Sequence, residues 1–453
     1  MITKNASEPI KFAPALARKP RLAAICLGAL LILACIVAFL PQVHPEAKPK
    51  AFEPADIAWM LCASGLVMLM TPGLAFFYAG MVNKKSVIST LLQSFIALGV
   101  ISLLWYVVGF SLAFGDSIGG LIGNPGTFFL FNHVGTAPHP RIAPNLPLVL
   151  FAAFQLKFAI ITPALISGAF AERIRFWGYL LFISLFSLLI YCPLAHWTWH
   201  PDGFLFKWGV LDFAGGTVVH ISAGFAALAG ALALGRRHSH EAGHQHTAPN
   251  VPFVLLGAGL LWFGWFGFNA GSALGANTVA VQAFFTTHMA SAAAMLTWML
   301  IEAVRGQRPS AAGAAVGAVV GLVAITPGAG YVGYGPALFI GVVAAAVSAF
   351  AVDLKNRTTL DDTLDVFPCH GVGGIVGMVL TAVFAQQGGL VTTGSATLLW
   401  HHLGALVFVS AFTFSGSYLL YKLTNRLIPI RVNAENEAHG LDTSQHGETV
   451  LVG

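Results

Sequence analysis

Apolar runs of about 20 residues recur along this chain, each long enough to cross a ~30 Å hydrocarbon layer as a helix. Inside a bilayer the backbone must satisfy its own hydrogen bonds, so such runs commit the chain to a helical bundle. Composition agrees: 57% of the 453 residues are hydrophobic and 9% are charged, against roughly 25% charged in a soluble globular protein. A soluble multidomain enzyme, a disordered protein and a nucleic-acid binder are therefore excluded. The formal charge of +5 is too small and too scattered for a phosphate-binding surface. The five cysteines (Cys26, Cys35, Cys62, Cys192, Cys369) lie in or beside apolar stretches at irregular spacing, which predicts buried, unpaired thiols.

The apolar pattern predicts about eleven spans, near 57–80, 88–114, 146–170, 176–195, 215–234, 251–270, 280–302, 311–325, 336–354, 366–386 and 398–421. Lys84/Lys85, Arg173/Arg175, Arg236/Arg237, Arg305/Arg308, Lys355/Arg357 and Lys422/Arg426 fall in every second connection. That asymmetry puts the basic connections in the cytoplasm, with the mature start outside and the tail inside. Before the first span, a basic leader (Lys4, Lys11, Arg18, Lys19, Arg21) precedes an apolar run from Leu22 to Leu40. This layout fits both a signal peptide and a retained anchor. The expected organisation is a signal peptide or N-terminal anchor over 1–50, a transmembrane domain over 51–421 and a cytoplasmic tail over 422–453.

Short motifs recur in spans of opposite orientation. Phe77-Tyr78-Ala79-Gly80 ends the first span and Phe268-Asn269-Ala270-Gly271 ends the sixth. His220 is followed by Ala223-Gly224 in the fifth span, and His370 by Gly373-Gly374 at the same offsets in the tenth. The pattern predicts an all-α polytopic membrane protein, its eleven transmembrane helices arranged as a 5+5 inverted repeat plus one C-terminal helix, N-out and C-in. Such a repeat places a transport path at its internal interface.

Titratable groups inside a bilayer are costly, so each needs a reason. Equivalent positions of inverted halves approach one another near the midplane, which brings His220 towards His370. Two neutral imidazoles facing each other each offer one donor and one acceptor and can pass a proton; two separately packed histidines are the plainer alternative. Two histidines without a third ligand make a poor zinc site, and no metal or other cofactor is expected. Asp212 opens the fifth span about 12 Å along the helix from His220, as an N-cap, a stabiliser of a cation at the outer mouth, or both. Phe154 and Phe158 share a helix face, while Trp265, Phe268 and Ser272 end the sixth span and Trp199 the fourth. Each ring alone reads as packing. Together they offer aromatic faces and a hydroxyl that suit cation–π capture of a small ammonium-like ion.

These residues lie in stretches that closely resemble the ammonium transporter family (Amt/Mep/Rh), in its bacterial Amt form. The stretches are TPGLAFFYAG (71–80), the run from Phe154 with AERIRF (171–176), PLAHWTW (193–199), DFAGGTVVHISAG (212–224), WFGFNAGSA (265–273), DVFPCHGVGGIVG (365–377) and the tail from Gly440 to Glu448. The resemblance runs from about residue 55 to 450. It implies a homotrimer in the bacterial inner membrane, with one conduction path for ammonium or ammonia in each subunit. It also implies an outer ammonium site at Trp199, Phe158 and Ser272, a gate of Phe158 and Phe268, and twin lumen histidines His220 and His370. Asp212 is the family's outer aspartate, and the tail resembles the segment coupled to gating and to a PII-type regulatory protein.

Some features depart from the family pattern. Lys157 precedes Phe158 where an apolar or small residue is usual; one helical step of about 100° turns it off the Phe154/Phe158 face. His288 is a further intramembrane histidine, read as a helix–helix hydrogen bond rather than a ligand. His238, His240, His244 and His246 read as a solvated loop, with metal binding as the alternative. Other functional readings are an ammonium sensor, which usually carries an added cytoplasmic domain, an electroneutral ammonia gas channel, and a histidine–metal membrane enzyme, which needs clustered histidine pairs.

Overall fold

The apolar runs become helices whose starts the sequence pattern delimits to within a few residues, while the spans expected to end at 195 and 421 run on to Lys207 and Leu427. The structure, a computed structural model, describes residues 18–48, 51–241 and 248–450. Lys4, Lys11, His244 and His246 lie outside the described residues. A helix α1 (Arg18–Ile36) precedes the bundle. It is followed by α2 (Pro54–Ala79), α3 (Val87–Phe114), α4 (Leu148–Phe170), α5 (Phe176–Lys207) and α6 (Gly216–Leu234). The second half comprises α7 (Val251–Gly271), α8 (Thr278–Val304), α9 (Ala311–Ile325), α10 (Tyr334–Asn356) and α11 (Phe367–Phe384), and α12 (Thr397–Leu427) closes it. Among the described residues, ten of these helices, α2 to α8 and α10 to α12, are long and apolar enough to cross a membrane. The 15-residue α9, expected to span, reaches only about 22 Å and gives way to turns over 326–332. Two short hairpins, Ser117–Ile118 with Ile122–Gly123 and Pro138–His139 with Ala143–Pro147, sit in the connections after α3.

Helices that match in the two halves cross each other in opposite directions, through glycine. Along α2 and α7, a Cβ on Gly257 would lie 2.2 Å from the Phe77 nitrogen, while one on Gly267 would lie 2.7 Å from the Ala63 carbonyl oxygen. Along α6 and α11, a Cβ on Gly224 would lie 2.3 Å from the Gly371 Cα, and one on Gly374 would lie 3.4 Å from the His220 Cβ. Numbers rise on one helix as they fall on the other, so each pair is antiparallel. Small residues let the backbones touch, as membrane helices need where no hydrophobic effect drives them together.

The basic connections gather at one end of the bundle. Arg237 donates through Nε (2.9 Å) and Nη2 (2.9 Å) to the Asp361 carboxylate and lies 3.0 Å from Glu172. The fully buried Arg173 donates to Thr363 Oγ1 at 2.7 Å and to the Ala169 carbonyl at 3.0 Å. Burial works against ionisation of Asp361, but the charge of Arg173 and the bonds and charge of Arg237 outweigh it and hold the carboxyl below the usual range. The tail closes over this end: Asp442 accepts from the Ser89 amide (2.7 Å) at the start of α3, and Gln445 accepts from the Phe176 amide (2.7 Å) at the start of α5.

At the other end, residues 43–47 pair with the loop after α3. The His133 amide donates to the Val43 carbonyl at 2.7 Å and the Ala137 amide to the Pro45 carbonyl at 2.9 Å. All five cysteines are unpaired, as their spacing predicts, but only Cys192 and Cys369 are buried. Cys26, Cys35 and Cys62 sit on outward faces of apolar helices, where a thiol needs no partner.

Candidate functional site

Between the end of α5, the start of α6 and the end of α7 lies a cavity of about 270 Å³. Phe158, Trp199 and Ser272 line it together with Gln155, Phe213 and Arg141. Trp199 is placed by its indole N–H, which donates to the Asp212 carbonyl at 3.1 Å. Its ring meets Phe158 edge-on, with centroids 5.7 Å apart. The Ser272 hydroxyl donates to the Phe268 carbonyl at 2.9 Å, which leaves its oxygen lone pairs to face the cavity.

Asp212 does not line this cavity. Oδ1 accepts from the amides of Gly215 (2.9 Å) and Gly216 (2.6 Å), and Oδ2 from the Thr217 amide (2.7 Å). Gly215 makes this possible: at φ 115° it holds a backbone shape that L side chains rarely adopt, turning successive amides onto one carboxylate. Sequence places Asp212 as the N-cap itself; the structure gives that position to Gly215, and Asp212, three residues earlier, cradles the amides of the helix start from outside it.

Below the cavity the floor is aromatic. The rings of Phe158 and Phe268 lie 4.2 Å apart at 32°, and both side chains are almost fully buried. Phe154 packs behind Phe158 at 4.9 Å. Lys157 is half-buried and lines no part of the cavity, as its helical step predicts.

Past the phenylalanines come the histidines. His220 and His370 each sit in a π-helical turn, Gly216–Ile221 and Phe367–Val372. Such a turn widens the helix locally and often marks a functional position. The two Nδ1 atoms are 3.3 Å apart, so one ring donates and the other accepts. His220 Nε2 is buried without a protein partner. The His220 ring lies 6.0 Å from Phe268, completing a file of rings from Trp199 through Phe158, Phe268 and His220 to His370.

Three residues of this region were not singled out correctly by sequence. Trp265, grouped there with the outer aromatics, lies deeper, stacked on His220 at 5.3 Å and 17°. Its indole N–H is spent on Thr326 Oγ1 at 2.9 Å. Asp362 repeats Asp212 in the second half, accepting from the amides of Val366 (3.1 Å) and Phe367 (2.7 Å). The shared eight-residue offset from aspartate to histidine is visible in the sequence. His402, on α12, is fully buried with both ring nitrogens bonded.

The remaining candidates stand apart from the file. His288 is exposed on α8 and rests against the Trp262 ring at 5.3 Å. His240 lies 3.8 Å from Asp361 at the basic end. Among the described residues, no group of three His, Cys, Asp or Glu side chains is arranged to hold a metal ion.

The Ammonium Transporter Family profile matches residues 58–451. The ammonium transporter of Aquifex aeolicus is 45% identical over 409 residues, covering 89% of this chain and 94% of that one. That of Mycobacterium tuberculosis is 44% identical over 430 residues, covering 87% and 89%. Among solved structures, Saccharomyces cerevisiae Mep2 superposes with a TM-score of 0.80 at 35% identity, covering 85% of this chain and 89% of Mep2. A structure titled Sensor Amt Protein superposes with a TM-score of 0.80 at 29% identity, covering 86% and 98%. A match over most of the chain, with this level of identity and superposition, leaves one conclusion: the chain belongs to the ammonium transporter family.

Proposed function

We propose that this multi-pass ammonium transporter captures the ion outside, strips a proton from it, and conducts ammonia past the histidine pair. Moving bare ammonium through hydrocarbon carries a Born penalty of order tens of kcal/mol, whereas neutral ammonia is tolerated. Potassium resembles ammonium in size and charge but has no proton to give, so a dry path that demands deprotonation excludes it.

Trp199, Phe158 and Ser272 form the capture site: ring faces for the cation, a hydroxyl oxygen for its N–H groups. Asp212 acts on this site indirectly, by fixing the Trp199 partner carbonyl and the start of α6. Phe158 and Phe268 form the gate at which the proton leaves. His220 and His370 line the lumen and relay that proton, so net charge moves. The observation carrying this reading is the 3.3 Å contact between two buried imidazoles directly beyond a closed pair of phenyl rings.

The working unit is a homotrimer in the bacterial inner membrane, with the cavity outside and the basic end and tail in the cytoplasm. Residues 51–421 carry transport. Residues 422–453 offer the face on which a PII-type regulatory protein docks; residues 1–50 serve as signal peptide or anchor.

The test is current recording on reconstituted protein under an inward ammonium gradient, with His220→Ala in parallel. Current in the parent and its loss in the variant, with ammonia flux retained, support the proton relay. Ammonia flux without current in the parent overturns it and assigns the electroneutral gas-channel reading instead.

A further inference from the structure

Leu211 immediately precedes Asp212, and its amide donates to His402 Nε2 at 3.0 Å. An accepting Nε2 carries no proton, so the proton of the neutral ring is on Nδ1, which donates to the Met378 carbonyl at 2.7 Å. His402 is fully buried on α12. It bridges two otherwise separate parts: Leu211 in the segment leading into α6, nine residues before His220, and Met378 on α11, eight residues beyond His370. The neighbouring links run straight to the cavity. The Asp212 carbonyl holds the Trp199 indole, and the Asp212 carboxylate holds the first turn of α6.

We propose that His402 is a positioning residue for the outer ammonium site. It never touches the ion. It holds the Leu211–Asp212 backbone in place against α11, and with it the Trp199 ring over Phe158. The inference rests on the reading of Trp199 as part of the capture site. An apolar ring of similar size at this position leaves the Leu211 N–H and the Met378 carbonyl buried and unpaired. Glutamine presents one acceptor and one donor at similar reach, and so replaces both bonds.

The experiment compares concentration dependence of ammonium-driven current in proteoliposomes with hydrogen exchange of the peptide over residues 209–217 in the purified full-length protein. Two non-bonding variants, His402→Phe and His402→Met, are carried together with His402→Gln and Trp199→Leu. The proposal expects both non-bonding variants to raise the half-saturation concentration about tenfold, the scale of one buried hydrogen bond lost, with maximal current within about twofold of the parent. Exchange over 209–217 accelerates in the same two, and glutamine restores both readouts. Parental half-saturation in a folded non-bonding variant overturns the proposal, as does a glutamine variant that behaves like phenylalanine or non-bonding variants that do not accumulate while glutamine also fails. Trp199→Leu separates the two readings: an unchanged half-saturation there defeats the capture-site reading itself, whereas a shift there with none at His402 defeats only the positioning role.

Discussion

Asp212 and Asp362 stand eight residues before His220 and His370, and each carboxylate accepts from the amides that open the helix bearing its histidine. The two halves of the molecule thus build one device twice: a charged cap, a π-turn and an imidazole. Opposed orientation brings the two imidazoles face to face and sends the two aspartates towards opposite ends of the bundle.

Asp212→Asn tests the cap. An amide has one acceptor oxygen and would turn an NH₂ group against backbone N–H donors. Loss of about 1–3 kcal/mol of stability is expected, with transport reduced even in protein that remains folded. Thermal unfolding in detergent and uptake in proteoliposomes check the two effects.

Burial pushes the Asp362 carboxyl up to about 6, against the pull of Lys355. A carboxyl whose folded pKa is raised resists ionisation, so its contribution falls as pH rises from about 4 to about 6 and stays low above that. Asp361 has the opposite sign, its benefit disappearing only as pH falls below the usual carboxylate range. In denaturation curves between pH 4 and 7, Asp362→Asn is expected to flatten the decline with rising pH. A slope identical to that of the parent would contradict the assignment.

Phe158→Ala and Phe268→Ala remove one ring each from a tilted pair 4.2 Å apart. With the gate widened, water enters the path and hydrated potassium gains a route. The potassium current relative to ammonium current is expected to rise about tenfold or more, equivalent to about 1.4 kcal/mol of lost discrimination. Ion-substitution recordings supply the measurement; a preserved ratio in both variants argues against a gate here.

Gly224→Ala places a methyl 2.3 Å from the Gly371 Cα, where neither backbone has a side chain to move aside. Overpacking of this kind costs about 1–3 kcal/mol or more. The variant is expected to accumulate poorly and to lose transport. Gly259→Ala, with open space around it, serves as the control and is expected to behave as the parent in size-exclusion profiles.

Span positions were legible because a membrane helix advertises itself through uninterrupted apolar length. The histidine pair was legible because charge-bearing side chains are rare in such runs, and His220 and His370 are each followed by a small residue at plus three and a glycine at plus four. The Asp362 cap was harder to read: Asp361, Asp362 and Asp365 compete for the role within one short connection, and only folding assigns Asp361 to Arg237 and Asp362 to the helix start. His402 was not legible, since its meaning lies in partners 191 and 24 residues away. Trp265 was misplaced by one turn because an aromatic near a span end reads as interfacial until its neighbour is known.

The glycine crossing of α6 and α11 also bears on how fast such a molecule can work. Two backbones in direct contact tie the helices that carry the imidazoles to each other, which opposes rocking of one half against the other at the centre. On the proposed reading, throughput is then governed by ring rotations and by proton hops between the two histidines. Uptake should therefore follow the supply of ammonium without the pause that a reorienting carrier needs to reset.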